Sequence, residues 1–277
     1  MFTYKNWDWF CAKINKSGHY CLRAMDVLDL VGQDKKFIVL KHDVETNPQK
    51  ALTLAKIEHS YNIQATYYVQ SYLLKDDGNI QILQEINKLG HEVTYHYDVL
   101  DNNRGDWQKA INEFEETVRM FEGYGFKVNT VCPHGNPVMS RKGWASNKDF
   151  FRNQELSKKY DNIIDVVINF PQKIGKKYLY ISDAGYGWKL ISDIANNDKT
   201  GAKPDINLKG FDEIIKLINK SNSVIISTHT HRWHRYSVVA RFRIFLFIVL
   251  RTTARLLMKV PFIKKLLGNF FYLAKKF

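Results

Sequence analysis

Residues Phe37-Ile-Val-Leu-Lys-His-Asp43-Val-Glu45 form an apolar run that ends in two carboxylates. In a strand, positions two apart share a face, so Asp43 and Glu45 would be presented together. The same design recurs at His91-Glu-Val-Thr-Tyr-His96-Tyr-Asp98 and at Ser223-Val-Ile-Ile-Ser-Thr-His229-Thr-His231. Three strand ends, each carrying a pair of metal-type or acid–base side chains, predict one polar site. Parallel neighbouring strands in an α/β domain bring such ends to one edge, where these folds place their chemistry.

Working outward, β-branched and aromatic runs predict strands at residues 37–42, 65–70, 92–97, 129–132, 163–169, 178–182 and 223–230. Helical patterns fall between them at 48–61, 80–89, 107–124 and 211–219. Asn47 and Pro48 mark one start, and Gly90 and Gly125 mark two ends. The alternation predicts an α/β fold with parallel strands covered by helices. Residues 139–160 and the polar stretch 196–209 are expected as loops over the site, the first with some helix. Residues 1–36, with Trp7, Trp9, Phe10 and a Leu/Val-rich segment at 25–31, predict a helical extension packed on a main domain at 37–237.

The net charge of +13 does not describe a nucleic-acid surface. Nine Lys and Arg and no acid lie between Val238 and Phe277, so only +4 belongs to residues 1–237. Cys11, Cys21 and Cys132 are odd in number and lack C-x-x-C spacing, which fits a reduced, cytoplasmic setting. The first residues show no basic segment followed by an apolar stretch, so a secretory signal is not expected.

At these residues the chain resembles the polysaccharide deacetylase superfamily, whose shared domain is the NodB homology domain. Lys41-His42-Asp43-Val44-Glu45 is similar to a divergent first motif of the form His-Asp-x-acid, and Gly90-His-Glu-Val-Thr-Tyr-His96 to the second. Cys132-Pro-His134-Gly-Asn-Pro137 falls where the third belongs, and Ser227-Thr-His229-Thr-His231-Arg-Trp233 looks like the last. The resemblance spans about residues 35–234, in order. It implies a distorted (β/α)7 barrel, one divalent metal, and hydrolysis of an acyl group, commonly from an acetamido sugar. Carried over, it implies Asp43 as base, Glu45 and His96 as metal ligands and His229 as acid. Two positions depart from the usual pattern: Leu100 stands where a second His is usual, and Glu45 where Asp is usual. His134, Asp98 and His231 are the candidate replacements, His134 foremost as a ligand, Asp98 and His231 as additional ligand or acid.

The residue types suit that chemistry. A His/carboxylate site with an open position brings the pKa of a coordinated water toward about 7 and polarises an acyl oxygen. Asp43 would take the water proton, and His229 or His231 would protonate the departing amine. Zinc is the first choice among divalent ions. His91-Glu92-x-x-x-His96 has i, i+5 spacing, which does not make a zinc-protease helix. Ser182-Asp-Ala-Gly-Tyr-Gly-Trp188 lacks dinucleotide-loop spacing, but as a strand-end loop it offers Asp183 and Trp188 as substrate contacts, with Trp233 as a sugar-stacking candidate.

Residues 238–277 form a basic amphipathic tail. Their longest apolar run, 244–250, is seven residues, or about 10 Å of helix against a bilayer core of about 30 Å. Arg251, Arg255 and Lys259 share a stripe, and Pro261 breaks the helix before a second segment with Leu266, Leu267, Phe270 and Phe271. This predicts helices lying in an anionic membrane interface. The combined expectation is a metal-dependent de-N-acylase of an amino sugar, in a glycan precursor that is lipid-linked or nucleotide-linked. It would act peripherally at the cytoplasmic face of a bacterial inner membrane. Two alternatives remain: a non-catalytic sugar-binding or scaffold barrel, and a metal hydrolase of another amide or a phosphoester.

Overall fold

Ten strands form one sheet in the computed structural model, which describes residues 1–136, 139 and 141–257. The strands are β1 (Tyr20–Cys21), β2 (Phe37–Val44), β3 (Thr66–Val69), β4 (Glu92–Tyr97), β5 (Thr130–Pro133), β6 (Ile164–Asp165), β7 (Leu179–Ser182), β8 (Trp188–Ile191), β9 (Ile206–Leu208) and β10 (Ser223–His229). Their order is β6-β5-β4-β3-β2-β10-β7-β8-β9, with β1 beside the start of β2. The stretch from β6 to β7 contains seven parallel strands, and these are the seven expected from the sequence. β8 alone is reversed, pairing antiparallel with both β7 and β9.

The longer helices are α1 (Tyr4–Ile14), α2 (Pro48–Ser60), α3 (Asp77–Lys88), α4 (Trp107–Gly123), α5 (Phe211–Asn219) and α6 (Ser237–Leu257). Pro48 occupies the first turn of α2 as expected, but Asn47 is left-handed (φ 50°) and its side chain makes no cap bond. Residues 24–30 are a 3-10 helix.

β2 is buried along its whole length because its two faces meet different cores. Ile38, Leu40 and Val44 join Trp7, Leu54, Tyr95 and Trp233 under the helices. Phe37 and Val39 join Tyr68, Cys132, Ile164, Tyr180 and Ile225 on the other face. This second cluster draws side chains from strands at both ends of the parallel run, so the sheet is rolled around it. Tyr178 OH donates to Val166 O (3.3 Å) where β6 and β7 approach without a ladder. The result is a distorted, incompletely closed barrel. Glu92 fills its N-terminal end, accepting from Thr66, Thr130 and the Met25 amide, and burial raises its pKa.

Two organisational expectations change. Residues 1–36 are not a helical extension alone: β1 extends the sheet, Phe2 is buried, and Thr3 bridges to His234. Residues 196–209 include β9 in place of a simple loop. Pro261 and the second tail segment lie outside the described residues. No helix among the described residues is long and apolar enough to cross a membrane.

Candidate metal and acid–base site

Parallel register assembles the site. β2 and β10 pair with Asp43 opposite His229, and β4 and β5 pair with His96 opposite Cys132. Two residues further along each chain stand Glu45, His231, Asp98 and His134, all at the C-terminal edge of the strands.

Glu45 is the meeting point. Its carboxylate is 3.3 Å from His134 Nε2, 3.7 Å from His229 Nε2, 3.9 Å from His96 Nε2 and 3.9 Å from His231 Nδ1. Burial alone would raise the Glu45 pKa, but His229, His134 and His96 hold it well below the usual carboxylate range. His96 Nδ1 lies 3.0 Å from Cys132 O, an acceptor only, so Nδ1 carries a proton and the ring turns Nε2 toward Glu45. His134 is placed by its own backbone: its amide donates to Tyr97 O (2.7 Å), and its carbonyl accepts from Asn147 Nδ2 (3.0 Å). Asp101 secures that loop by binding Arg141 through both oxygens and accepting from Trp144 and Asn147.

The donor set fits a divalent ion. Ligand atoms of Glu45, His96 and His134 all lie within 4.8 Å of one another, as do those of Asp43, His96 and Cys132. Tetrahedral coordination with bonds of about 2.1 Å puts ligand atoms about 3.4 Å apart, close to the 3.3 Å and 3.9 Å that separate Glu45 from His134 and His96. The second set is less suitable. Asp43 already binds Lys41 Nζ at 2.5 Å, which puts a cation beside that position, and burial raises the Cys132 thiol well above its usual pKa. A thiol must ionise to bind metal.

Beside these residues are two pairs, each joining a carboxylate to a basic side chain. Lys41, fully inside the barrel, takes Asp43 Oδ1 and also donates to Ser227 Oγ (3.2 Å). Burial opposes both charges, but each stabilises the other, raising the Lys41 pKa and lowering that of Asp43. Asp43 Oδ2 remains 3.9 Å from His229 Nε2. Asp183 lies behind His229: Oδ1 is 2.7 Å from His229 Nδ1, and Oδ2 accepts from the His229 amide and Thr228 Oγ. Arg232 completes this carboxylate's shell at 2.8 Å. Burial would raise the Asp183 pKa, but Arg232 and His229 hold it far below the usual range.

The two late histidines therefore differ. Burial and the neighbouring His229 push His231 down to about 4, so its ring is neutral at pH 7. His229 has a carboxylate behind it and Asp43 and Glu45 before it.

Three of the expected substrate contacts are placed otherwise. Asp183 is fully buried and serves His229, so no substrate reaches it. Trp233 is also fully buried, packed against Trp7 and Phe2 and donating to Thr228 Oγ (2.9 Å), and its ring is not a sugar platform. Trp188 packs on Phe2 and Phe211 in the same aromatic layer. Asp98, at the start of the helical turn Val99–Asn102, accepts from Asn102 Nδ2 and is outside both ligand groups. Leu100, where a second histidine is usual, is buried in the core. Sequence reasoning missed Lys41, Arg232 and Asp101. Lys41 had a usable signal, a cation two residues from Asp43 on the same strand face.

No protein-family model matches the chain, and no curated protein sequence matches it. Among solved structures, it is similar to a Streptococcus mutans CE4 esterase, with 14% identity over 84% of this chain and 89% of that one, TM-score 0.47. It is also similar to the catalytic domain of a peptidoglycan N-acetylglucosamine deacetylase from Eubacterium rectale, with 15% identity over 76% of this chain and 83% of that one, TM-score 0.43. A third is a CE4 family pseudoenzyme from Bacillus anthracis, with 14% identity over 79% of this chain and 62% of that one, TM-score 0.39.

Proposed function

We propose that this chain is a metal-dependent hydrolase of the polysaccharide deacetylase type that removes the N-acyl group, most simply acetyl, from an amino sugar. The observation that carries this reading is Glu45 ringed by four imidazoles, with Asp43–Lys41 on one side and Asp183–His229 on the other. Glu45, His96 and His134 would hold one divalent ion, zinc by donor type. When bound, such an ion supplies water activation and Lewis acidity. Asp43, kept ionised by Lys41, accepts a proton from the attacking water. As oxygen adds to the acyl carbon and the C–N bond breaks, His229 delivers its proton to the amine nitrogen, with Asp183 fixing the ring and offsetting its charge. The products are a carboxylate and a free amino sugar.

The substrate we infer is a bacterial surface-glycan precursor met at the inner face of the cytoplasmic membrane, since the basic excess lies in the apolar tail. The test is metal content and acetate release with purified full-length protein. Asp43→Asn should retain about one zinc and lose activity by about 10²–10⁴-fold, the usual worth of a general base. His96→Ala should lose the metal and the activity together. Buried Leu100 in place of a ligand favours a second reading, a non-catalytic glycan-binding barrel. Absence of metal after reconstitution, with glycan binding retained, would establish that alternative.

A further inference from the structure

α6 contains two opposed faces and no negative charge. At 100° per residue, Ala240, Ile244 and Phe247 fall within about 60° of one another. This face packs on the domain: Ala240 is buried, Ile244 contacts the main core, and the Phe247 ring lies 4.8 Å from that of Tyr186. On the opposite side, Val238, Phe242, Phe245 and Val249 fall within another 60°, and they are 74%, 61%, 63% and 41% exposed. Val239 and Leu250 widen the stripe, while Arg241 and Arg243 border it on either side. A contiguous apolar face of this kind on a domain is an interaction surface.

The charges select its occupant. From Ser237 to Phe277 there is no Asp or Glu, so the same helix from a second copy would set arginines against arginines along both borders. An anionic lipid surface accepts both parts of the pattern, with aromatic side chains in the acyl boundary and guanidinium groups among the headgroups. The helix is also linked to the site through a relay of side chains. Tyr186 contacts both Phe247 and the Arg232 guanidinium (4.9 Å), Arg232 binds Asp183, and Asp183 holds His229. Arg251 lies against the same loop, 3.2 Å from where a Cβ on Gly185 would stand.

We infer that α6 docks this protein on an anionic bilayer through the Val238–Phe242–Phe245–Val249 stripe and seats the rim of the metal site beside that bilayer. The substrate is then an acylated amino sugar whose lipid anchor lies in the same membrane. The substrate half rests on the deacylase reading above, and the docking half does not.

Flotation of the full-length protein with phosphatidylglycerol/phosphatidylcholine vesicles, beside pure phosphatidylcholine vesicles, tests the docking. Wild type should bind the anionic vesicles, more weakly at high salt. Phe242→Ser with Phe245→Ser should reduce binding at least about tenfold, and Arg241→Gln with Arg243→Gln should weaken the preference for anionic lipid, the other seven tail cations remaining. Both variants should keep the wild-type unfolding midpoint, which separates lost docking from lost folding. Equal flotation of wild type and the Phe242/Phe245 variant would overturn the inference. So would a dimer that forms without lipid and dissociates in that variant, since a second copy would then cover the stripe. Acetate release from a vesicle-embedded N-acetylglucosaminyl lipid is the second arm. Binding without acetate would refute the deacylase reading and leave the docking standing. Acetate release that the Phe242/Phe245 variant does not diminish would refute the seating and leave the chemistry standing.

Discussion

In the proposed reaction Asp183 is a buried carboxylate that acts only through His229, without touching substrate. With both oxygens engaged by His229, Thr228 and Arg232, its pKa is far below that of an unfolded aspartate, about 4. The unfolded chain therefore binds a proton below about pH 4 that the folded chain refuses, so this stability is complete above pH 4 and is lost as pH falls further. Asp183→Asn should be less stable than wild type at pH 6, and the difference should shrink by pH 3, as read by urea unfolding at both. The same variant should lower kcat more than KM, because His229 loses the partner of its Nδ1 proton while the sugar surface is untouched. An unchanged kcat would remove Asp183 from the proposed proton path. Lys41 makes a comparable argument for Asp43. Lys41→Met leaves a buried carboxylate without its cation, a loss of about 3–5 kcal/mol for a broken buried pair, and unfolding measurements should show it.

At the level of elements, α1 reads in sequence as an appendage and in structure as a wall of the core. Trp7 is fully buried and its Nε1 donates to Glu58 Oε1 (2.9 Å), the same carboxylate that meets His42 (2.7 Å) and, through its other oxygen, Tyr67 (2.7 Å). Trp7→Ala should cost about 3–5 kcal/mol by chemical denaturation, and Trp7→Phe less, since it keeps most of the ring volume. A cost near zero for Trp7→Ala would make α1 the peripheral extension its position suggested. The seven parallel strands were legible because strand periodicity and apolar runs are local. The hairpin β8–β9 was not, because Trp188-Lys-Leu-Ile and Ile206-Asn-Leu are short and take their pairing from distant partners. The same distinction governs the site. Asp43 and His229 stand at the ends of β2 and β10, where the apolar runs point, whereas the 3-10 turn that carries His231, the burial of Trp233 and the service of Asp183 to His229 depend on which loop packs where.

For the whole molecule, the ligand set joins segments that are far apart in the chain. Glu45 follows β2, His96 is in β4 and His134 follows β5, so an ion bound by all three ties half of the barrel mouth together. Without an ion, the cluster holds several basic imidazoles around one carboxylate and has nothing to draw His96 and His134 closer. Binding to the folded chain alone stabilises it by RT ln(1 + [L]/Kd), about 2.7 kcal/mol at a hundredfold excess over Kd. For a chain of this size that corresponds to a rise in Tm of about 5 °C. Dialysis against a chelator should lower Tm by that order, and zinc should restore it. The increment should fade as the solution is acidified, because protons compete with the metal for its ligands. In His96→Ala the apo and zinc-treated Tm should coincide. If wild type showed no shift with zinc, cobalt, nickel, manganese or iron, Glu45 and its histidines would be a charge network and not a metal centre, and the hydrolytic reading would lose its nucleophile.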